Sequence, residues 1–401
     1  MAAASGIYKQ VSIKKETAYG TLAGTTGART LARVDGVFNL AKEAYESNRI
    51  RTDLQYGDAR HGVRSVSGTI NDELVPGALS DVIGTVCKRA FAAVAPETAI
   101  SITIATAGNN YTITRAAGSW LTGGKRVGQV VRLTAGTFNT ANLNKNLFVL
   151  GVTATTLTVV AANGSALVAE GPVASATLSV PGKYTYVPLT GHVEDSYTVE
   201  EWFSDVPRCE VYTGFKPAQA ALRMPPSGLA TIAITGAGKD LAQSGATRYF
   251  TTPTVGTEAA SLAAVNGLLR TGGGAQLCVT SLDIDIASAF SGDATVGSNT
   301  KNFQFAEGVK VTGSFSAYFE DGTLPALFYD ETVTTLDVLM TSDNTAAAEF
   351  MTFSLNRVKV NSADKADGRG GIVRTYAFTA SVNPTAGERE ATTIAIQDSL
   401  A

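Results

Sequence analysis

The segment Val66-Ser-Gly-Thr-Ile-Asn-Asp-Glu-Leu-Val-Pro-Gly-Ala-Leu79 recurs 245 positions on, without a gap, as Val311-Thr-Gly-Ser-Phe-Ser-Ala-Tyr-Phe-Glu-Asp-Gly-Thr-Leu324. Val66 meets Val311, Gly68 meets Gly313, Ile70 meets Phe315, Leu74 meets Phe319, Gly77 meets Gly322 and Leu79 meets Leu324. Each copy opens on apolar/polar alternation, the mark of a half-buried strand. In the first copy Pro76-Gly77 then opens a helix with Leu79, Val82, Ile83 and Val86 on one face, expected to end near Phe91. Val82 and Ile83 meet Leu327 and Phe328 of the second. The flanks keep the same order. Gly36-Val-Phe-Asn-Leu-Ala precedes the first copy and Leu282-Asp-Ile-Asp-Ile-Ala the second. A strand follows each helix, Tyr197 to Phe203 or Thr332 to Met340, and each half closes on a strand, Gly228 to Thr235 or Gly371 to Thr379. Such a pattern points to one structural unit used twice.

The first copy is interrupted. Residues 99–182 carry almost no helical pattern and many short Thr/Val/Ala strands separated by Gly and Asn, as in Ser101-Ile-Thr-Ile-Ala and Thr156-Leu-Thr-Val-Val. The expected fold is therefore mainly β: tandem duplicated β-sandwich or barrel units, each with one flanking helix, plus an inserted small β-barrel or sandwich. The boundaries are 1–98 with 183–240 for the first unit, 99–182 for an outward-facing insert and 241–274 for a Gly/Ala/Thr-rich linker. The second unit is 275–383 and a C-terminal arm is 384–401. A hydrophobic content of 44% with only 17% charged residues suits such a packed chain rather than a disordered one.

Catalytic templates fail one by one. Gly236-Ala-Gly238-Lys-Asp-Leu241 begins a dinucleotide fingerprint, but Leu241 replaces its third glycine. Gly118-Ser-Trp-Leu-Thr-Gly-Gly-Lys125-Arg126 has its lysine one place late for a phosphate loop, with Arg126 where Ser or Thr belongs. His61 and His192 are the only histidines, and neither has a partner at metal-ligand spacing. Asp364-Lys-Ala-Asp367-Gly368 offers too few oxygen ligands for a calcium loop. Asp72-Glu73 and Asp283/Asp285 are paired carboxylates; on strands the first two point to opposite faces and the second two share one. No enzyme activity, metal or cofactor is expected.

Cys87, Cys209 and Cys278 are too few and too scattered for a disulfide framework, and read as reduced thiols filling the core. No apolar run approaches the roughly 18 residues of a membrane span, and the start carries no apolar secretory core. A cytoplasmic product without a membrane anchor is expected, or one carried out on a particle by lysis. The net charge of −3 excludes a protein that grips nucleic acid by overall positive charge.

Several segments carry a resemblance. Lys9-Gln-Val-Ser-Ile-Lys-Lys-Glu-Thr-Ala-Tyr-Gly-Thr-Leu22, Ser47-Asn-Arg-Ile-Arg-Thr-Asp-Leu-Gln55, Asp58-Ala-Arg-His-Gly62 and Val66 to Leu74 resemble the tail tube proteins of long-tailed, siphophage-type bacteriophages. Trp120-Leu-Thr-Gly-Gly-Lys-Arg-Val-Gly-Gln-Val-Val-Arg-Leu133, with Val152 to Val159, resembles the accessory β domain of such proteins. The resemblance implies sandwich subunits that join into rings, with inner sheets fused into one barrel around a lumen. The rings stack into a tube of the virion tail, assembled in the host bacterial cytoplasm, through which DNA passes at ejection without specific binding. It also implies a tape measure protein, a tail terminator and a distal tail protein as partners. A ring of this kind has six units. Two units per chain then give a homotrimeric ring with pseudo-sixfold symmetry; a homohexameric ring is the alternative.

Within this reading Ser67, Thr69, Asn71, Thr312, Ser314 and Ser316 are expected to face the lumen, because they alternate with the apolar positions. The mixed charges of the loop Lys42 to Arg60 suit register-setting contacts with neighbours: Glu43, Glu46, Arg49, Arg51, Asp53, Asp58 and Arg60. Lys14, Glu16 and Tyr19 of the N-terminal arm are candidates for the same role. A capsid decoration or other virion structural β protein is the rival reading; it needs neither a lumen nor a duplication.

Overall fold

The computed structural model describes residues 3–55, 57–164, 166–272, 274, 277–365 and 370–401. Gly273 of the linker and Asp367 and Gly368 of the carboxylate cluster lie outside the described residues. Strands dominate, as β-branched residues in alternating patterns require. In chain order β1 (Lys9–Lys15), β2 (Arg29–Thr30), β3 (Asp35–Glu46) and β4 (Ala59–Glu73) lead into helix α1 (Ser80–Val86). An excursion follows through β5 (Glu97–Ala107), β6 (Asn110–Arg115), β7 (Val130–Ala135), β8 (Leu147–Val152), β9 (Thr156–Ala161) and β10 (Glu170–Ser179). The chain returns in β11 (Lys183–Tyr186), β12 (Tyr197–Phe203), β13 (Arg208–Met224), β14 (Thr231–Gly238), β15 (Asp240–Gly245) and β16 (Thr254–Val255). Then come β17 (Gly267–Thr271), β18 (Val279–Ser291), β19 (Phe305–Tyr318), α2 (Thr323–Tyr329), β20 (Val333–Thr341), β21 (Phe350–Val360), β22 (Asp364–Lys365), β23 (Val373–Ala380) and β24 (Ile394–Asp398).

The pairings repeat as the sequence does. One sheet runs β3–β4–β14–β13, and its later counterpart runs β18–β19–β23, completed by the end of β21 and by β22. A second pair of sheets runs β1–β12–β13–β15 and β17–β20–β21–β24. Long β13 and β21 pass from one sheet to the other in their halves. The register repeats too. Gly36 and Leu282 lie opposite Ile70 and Phe315, the residues matched at the 245 offset, and Ile234 and Tyr376 flank these two on the other side.

The matched glycines have a packing reason. Phe38 stands directly across from Gly68, and Phe378 across from Gly313. A Cβ at Gly68 would collide with the Phe38 and Phe215 rings, and one at Gly313 with the Phe378 ring. The ring covers the gap that the glycine leaves in the pleat. The other matched pair differs: Gly77 turns through φ 78, a left-handed conformation, whereas Gly322 has an ordinary φ of −81 and precedes α2.

Helix α1 stops at Val86 rather than near Phe91, because Lys88 turns to φ 60 and cannot continue a right-handed helix. Its Val82, Ile83 and Val86 enter the core with Ile70, Phe215 and Leu282, as the spacing implies. Cys87 and Cys209 are buried, but Cys278 is exposed, so it does not fill the core.

The excursion closes into a six-stranded barrel, β10-β5-β6-β9-β8-β7, filled by Trp120, Ile102, Leu133 and Leu157. It docks on the sheet β17–β20–β21–β24. Val130 and Phe148 pack with Leu339 and Phe350, and Asn146 donates to the Ala348 carbonyl. The segment 384–401, expected as an arm, carries β24, which is buried between β21 and β11. The linker 241–274 likewise contributes β17, the edge of that same sheet.

Gln397 of β24 ties the barrel to the sheet. Its side chain accepts from the Val130 amide at 2.7 Å and donates to the Val130 carbonyl at 3.1 Å, both out of water, and to the half-buried Pro181 carbonyl at 2.8 Å. Gln397→Ala leaves these backbone groups unpaired, so it is expected to cost about 1–3 kcal/mol, read as a lower urea midpoint.

Candidate functional site

The sheet β3–β4–β14–β13 and its counterpart β18–β19–β23 share an open polar face. Successive pairings place Val37, Thr69, Thr235 and Gln219 in one row, and Asp283, Ser314 and Ala377 in another. Ser67, Thr69 and Asn71 all fall on this face, as do Thr312, Ser314 and Ser316; none is buried. Val66, Gly68, Ile70, Val311 and Phe315 point the other way, into the core or toward its rings. Alternation thus separates a small-side-chain, hydroxyl-rich surface from the hydrophobic interior.

The two sheets are one surface, because β13 pairs antiparallel with β18. Gln219 faces Ala287, Ala221 faces Asp285, and Met224 faces Leu282. On the polar face this seam carries a charge cluster. Arg223 reaches Asp285 at 2.8 Å and Asp283 at 3.7 Å. Burial pushes the Asp283 carboxyl up and Arg223 pulls it back. The sequence pairing of Asp283 with Asp285 on one face holds, but Arg223 was not legible as their partner; only the strand register brings it there. Lys310, opposite Ala287, adds a second cation, so the middle of the face is close to charge-balanced.

The hairpin β3–β4 carries the mixed charges. Glu43, Glu46, Arg49, Arg51, Asp53, Asp58 and Arg60 are all exposed. Arg51 binds Asp53 at 2.5 Å and holds its carboxyl below the usual range, and the Tyr45 hydroxyl donates to Glu43 at 2.8 Å. Asp58 and Arg60 are 3.9 Å apart. Two aliphatic residues that charge patterning does not reveal join them at the tip: Ile50 is 100% exposed and Leu54 95%.

The N-terminal candidates fall differently. Glu16 is buried and accepts from Ser196 Oγ, Thr198 Oγ1 and the amides of Gly20 and Gly214 at 2.6–3.0 Å. It is satisfied within the chain, and no surface is left to offer a neighbour. The Tyr19 ring lies beneath Lys216 and Lys239, and burial pushes its hydroxyl up to about 12. Lys14 is spent on the Gly24 and Thr26 carbonyls at 2.9 and 2.5 Å.

The residues of the failed catalytic templates have structural duties. Lys125 is wholly buried and donates to the Ala95 and Gly123 carbonyls, which hold no phosphate-binding geometry. Gly236 and Gly238 lie within β14. His61 and His192 are exposed, and no group of three or more potential metal-ligating side chains occurs among the described residues.

Paired sheets used twice, a shared polar face and an exposed charged hairpin define a mainly β protein. The phage tail tube protein family model matches residues 8–380, nearly the whole chain, and the chain belongs to that family. It is therefore a structural tail tube protein of the virion tail, and membership in that family implies no catalysis. No curated protein matches it. Among the described residues no helix is long and apolar enough to cross a membrane.

Asp72 supplies a pH test of this sheet. It points to the core, opposite its neighbour Glu73; one oxygen accepts from the Glu73 amide and the other has no partner. Burial pushes its carboxyl up to about 6 from 3.8. The native state then holds this proton more tightly than the unfolded chain. Stability is highest below pH 4 for this group, falls through pH 4–6, and carries the full cost above. Asp72→Asn is expected to stabilise by about 1–3 kcal/mol at pH 7 and by little at pH 4, measured by urea unfolding at both.

Proposed function

We propose that three copies of this chain form one ring of the tail tube, that rings stack into the tube, and that the polar face of the inner sheets lines the conduit through which DNA is ejected into the host. The β13–β18 seam carries this reading. It joins two units edge to edge within one chain and, among the described residues, leaves one unpaired edge at β3 and another at 361–365. A heterologous contact of that kind closes when the rotation closes. Two units per chain make a sixfold arrangement of units from three chains. Closure also removes the sheet edges, which otherwise aggregate.

The conduit surface favours sliding over binding. Hydroxyls and small side chains present few groups long enough to grip a phosphate, and the cations Arg223 and Lys310 are offset by Asp283 and Asp285. The overall charge of −3 per chain adds no attraction for DNA. The exposed β3–β4 hairpin, with Glu43 to Arg60, is the surface for contact with neighbouring copies. The tape measure protein occupies the lumen before ejection, and the tail terminator and distal tail protein close the two ends. The siphophage type of tail follows from the sequence resemblance.

Electron microscopy of the purified protein, alone and with tail-tip components, tests the tube. Rings or tubes with a central channel are expected. Compact particles that stay unpolymerised with tail-tip components present would favour a decoration role instead.

A further inference from the structure

The repeat allows the surface between copies to be read from the surface within one. In the first unit Asn71, Ala233 and Ala221 stand side by side across β4, β14 and β13, and Asp285 of β18 completes the row. In the second unit Ser316, Thr375 and Asp364 repeat the first three places across β19, β23 and β22. Among the described residues nothing takes the fourth place, since β22 pairs there with β23 alone. The counterpart of Asp285 is Asn39, because Asp285 lies opposite Thr312 and Asn39 opposite Ser67, the residues matched at the 245 offset. Asn39 sits on β3, which pairs with β4 alone.

A second contact repeats with the same asymmetry. Lys216 binds Glu194 at 2.9 Å in the first unit, and Lys359 binds Glu331 at 2.9 Å in the second. Lys216 is buried because it also donates to the Gln304 carbonyl at the foot of the second unit's hairpin, 2.9 Å away. Lys359 and Glu331 remain exposed, with side chains 48% and 75% in solvent. The position matching Gln304 is Ala59, at the foot of the first unit's hairpin. The helices follow suit. Six of the seven α1 residues are buried, but only Pro325 of α2 is, and Phe328 and Tyr329 beside it are exposed.

We infer that a second copy of this chain covers these surfaces: residues 361–365 of one copy pair antiparallel with β3 of the next, Asp364 opposite Asn39, while Lys359 takes the carbonyl at Ala59. This rests on the ring reading above and adds the edges and the register. The two kinds of seam then differ in chemistry. Val37 and Asn39 stand where Asp283 and Asp285 stand on β18, so the Arg223 charge cluster occurs within chains and not between them.

The test is a disulfide trap in the full chain carrying Cys278→Ser, which removes the exposed thiol. Directly opposed residues of an antiparallel pair are close enough to bridge, and residues four places off are not. Asn39→Cys with Asp364→Cys should join most chains in assembled tubes into covalent trimers on non-reducing gels, and Asp35→Cys with Asp364→Cys should leave them monomeric. Tubes that form without the first cross-link, or with only the second, overturn the register and leave the ring reading standing. A Cys278→Ser parent that never polymerises sinks both. In the unmodified protein, hydrogen exchange at residues 37–41 should slow at least tenfold on polymerisation; unchanged exchange in tubes contradicts the pairing even where a cysteine variant misfolds.

Discussion

The backbone pairing between β13 and β18 is the constraint on which the rest of this structure depends. Other contacts also tie the units, among them β11 against β24 and Gly77 and Ser80 on Asp398, but only this pairing makes their sheets continuous. With it, the polar faces become one surface, Arg223 meets Asp283 and Asp285, and the unpaired edges fall at the two ends of the sheet. The exposed ion pairs add little energy, since such contacts contribute about 0–1 kcal/mol each. Their value lies in register: one residue of slip would turn every side chain to the opposite face.

Around this seam the chain spends its other features on rigidity. Rings cover Gly68 and Gly313, and β24 fixes the inserted barrel to the second unit through Gln397. Arg389, from the segment before β24, binds Asp337 at 2.6 Å nearly out of water, which pins that segment to β20. A buried pair of this kind is costly to break from one side because it leaves an uncompensated charge. The barrel therefore sits on the sheet opposite the polar face, where it adds no obstruction to that face.

Much of this was legible in the residues. The 245 offset anticipates the pairing register because Gly68 and Gly313 occupy equivalent places under aromatic rings, and alternation separates Ser67, Thr69, Thr312 and Ser314 from the buried residues between them. What escaped was nonlocal. Glu16 looks like any surface acid in a polar arm, yet four donors from distant segments hold it inside. Segment 384–401 is short, and its Pro384 and Gly387 mark a turn without naming the strands that the following residues will meet, so nothing local shows that β24 slots between β21 and β11. The helix end at Lys88 depends on a left-handed turn that lysine seldom adopts. The family assignment rests on residues 8–380 and says nothing by itself of how many chains make a ring.

Chain number is thus the most direct test of the account. Native mass spectrometry of single rings released from tubes, or a symmetry-resolved reconstruction of one layer, counts it. Three chains per ring, with six similar units around the channel, is the expected result. Six chains per ring would mean that the β13–β18 seam is not the ring contact, and the account built on it would fail.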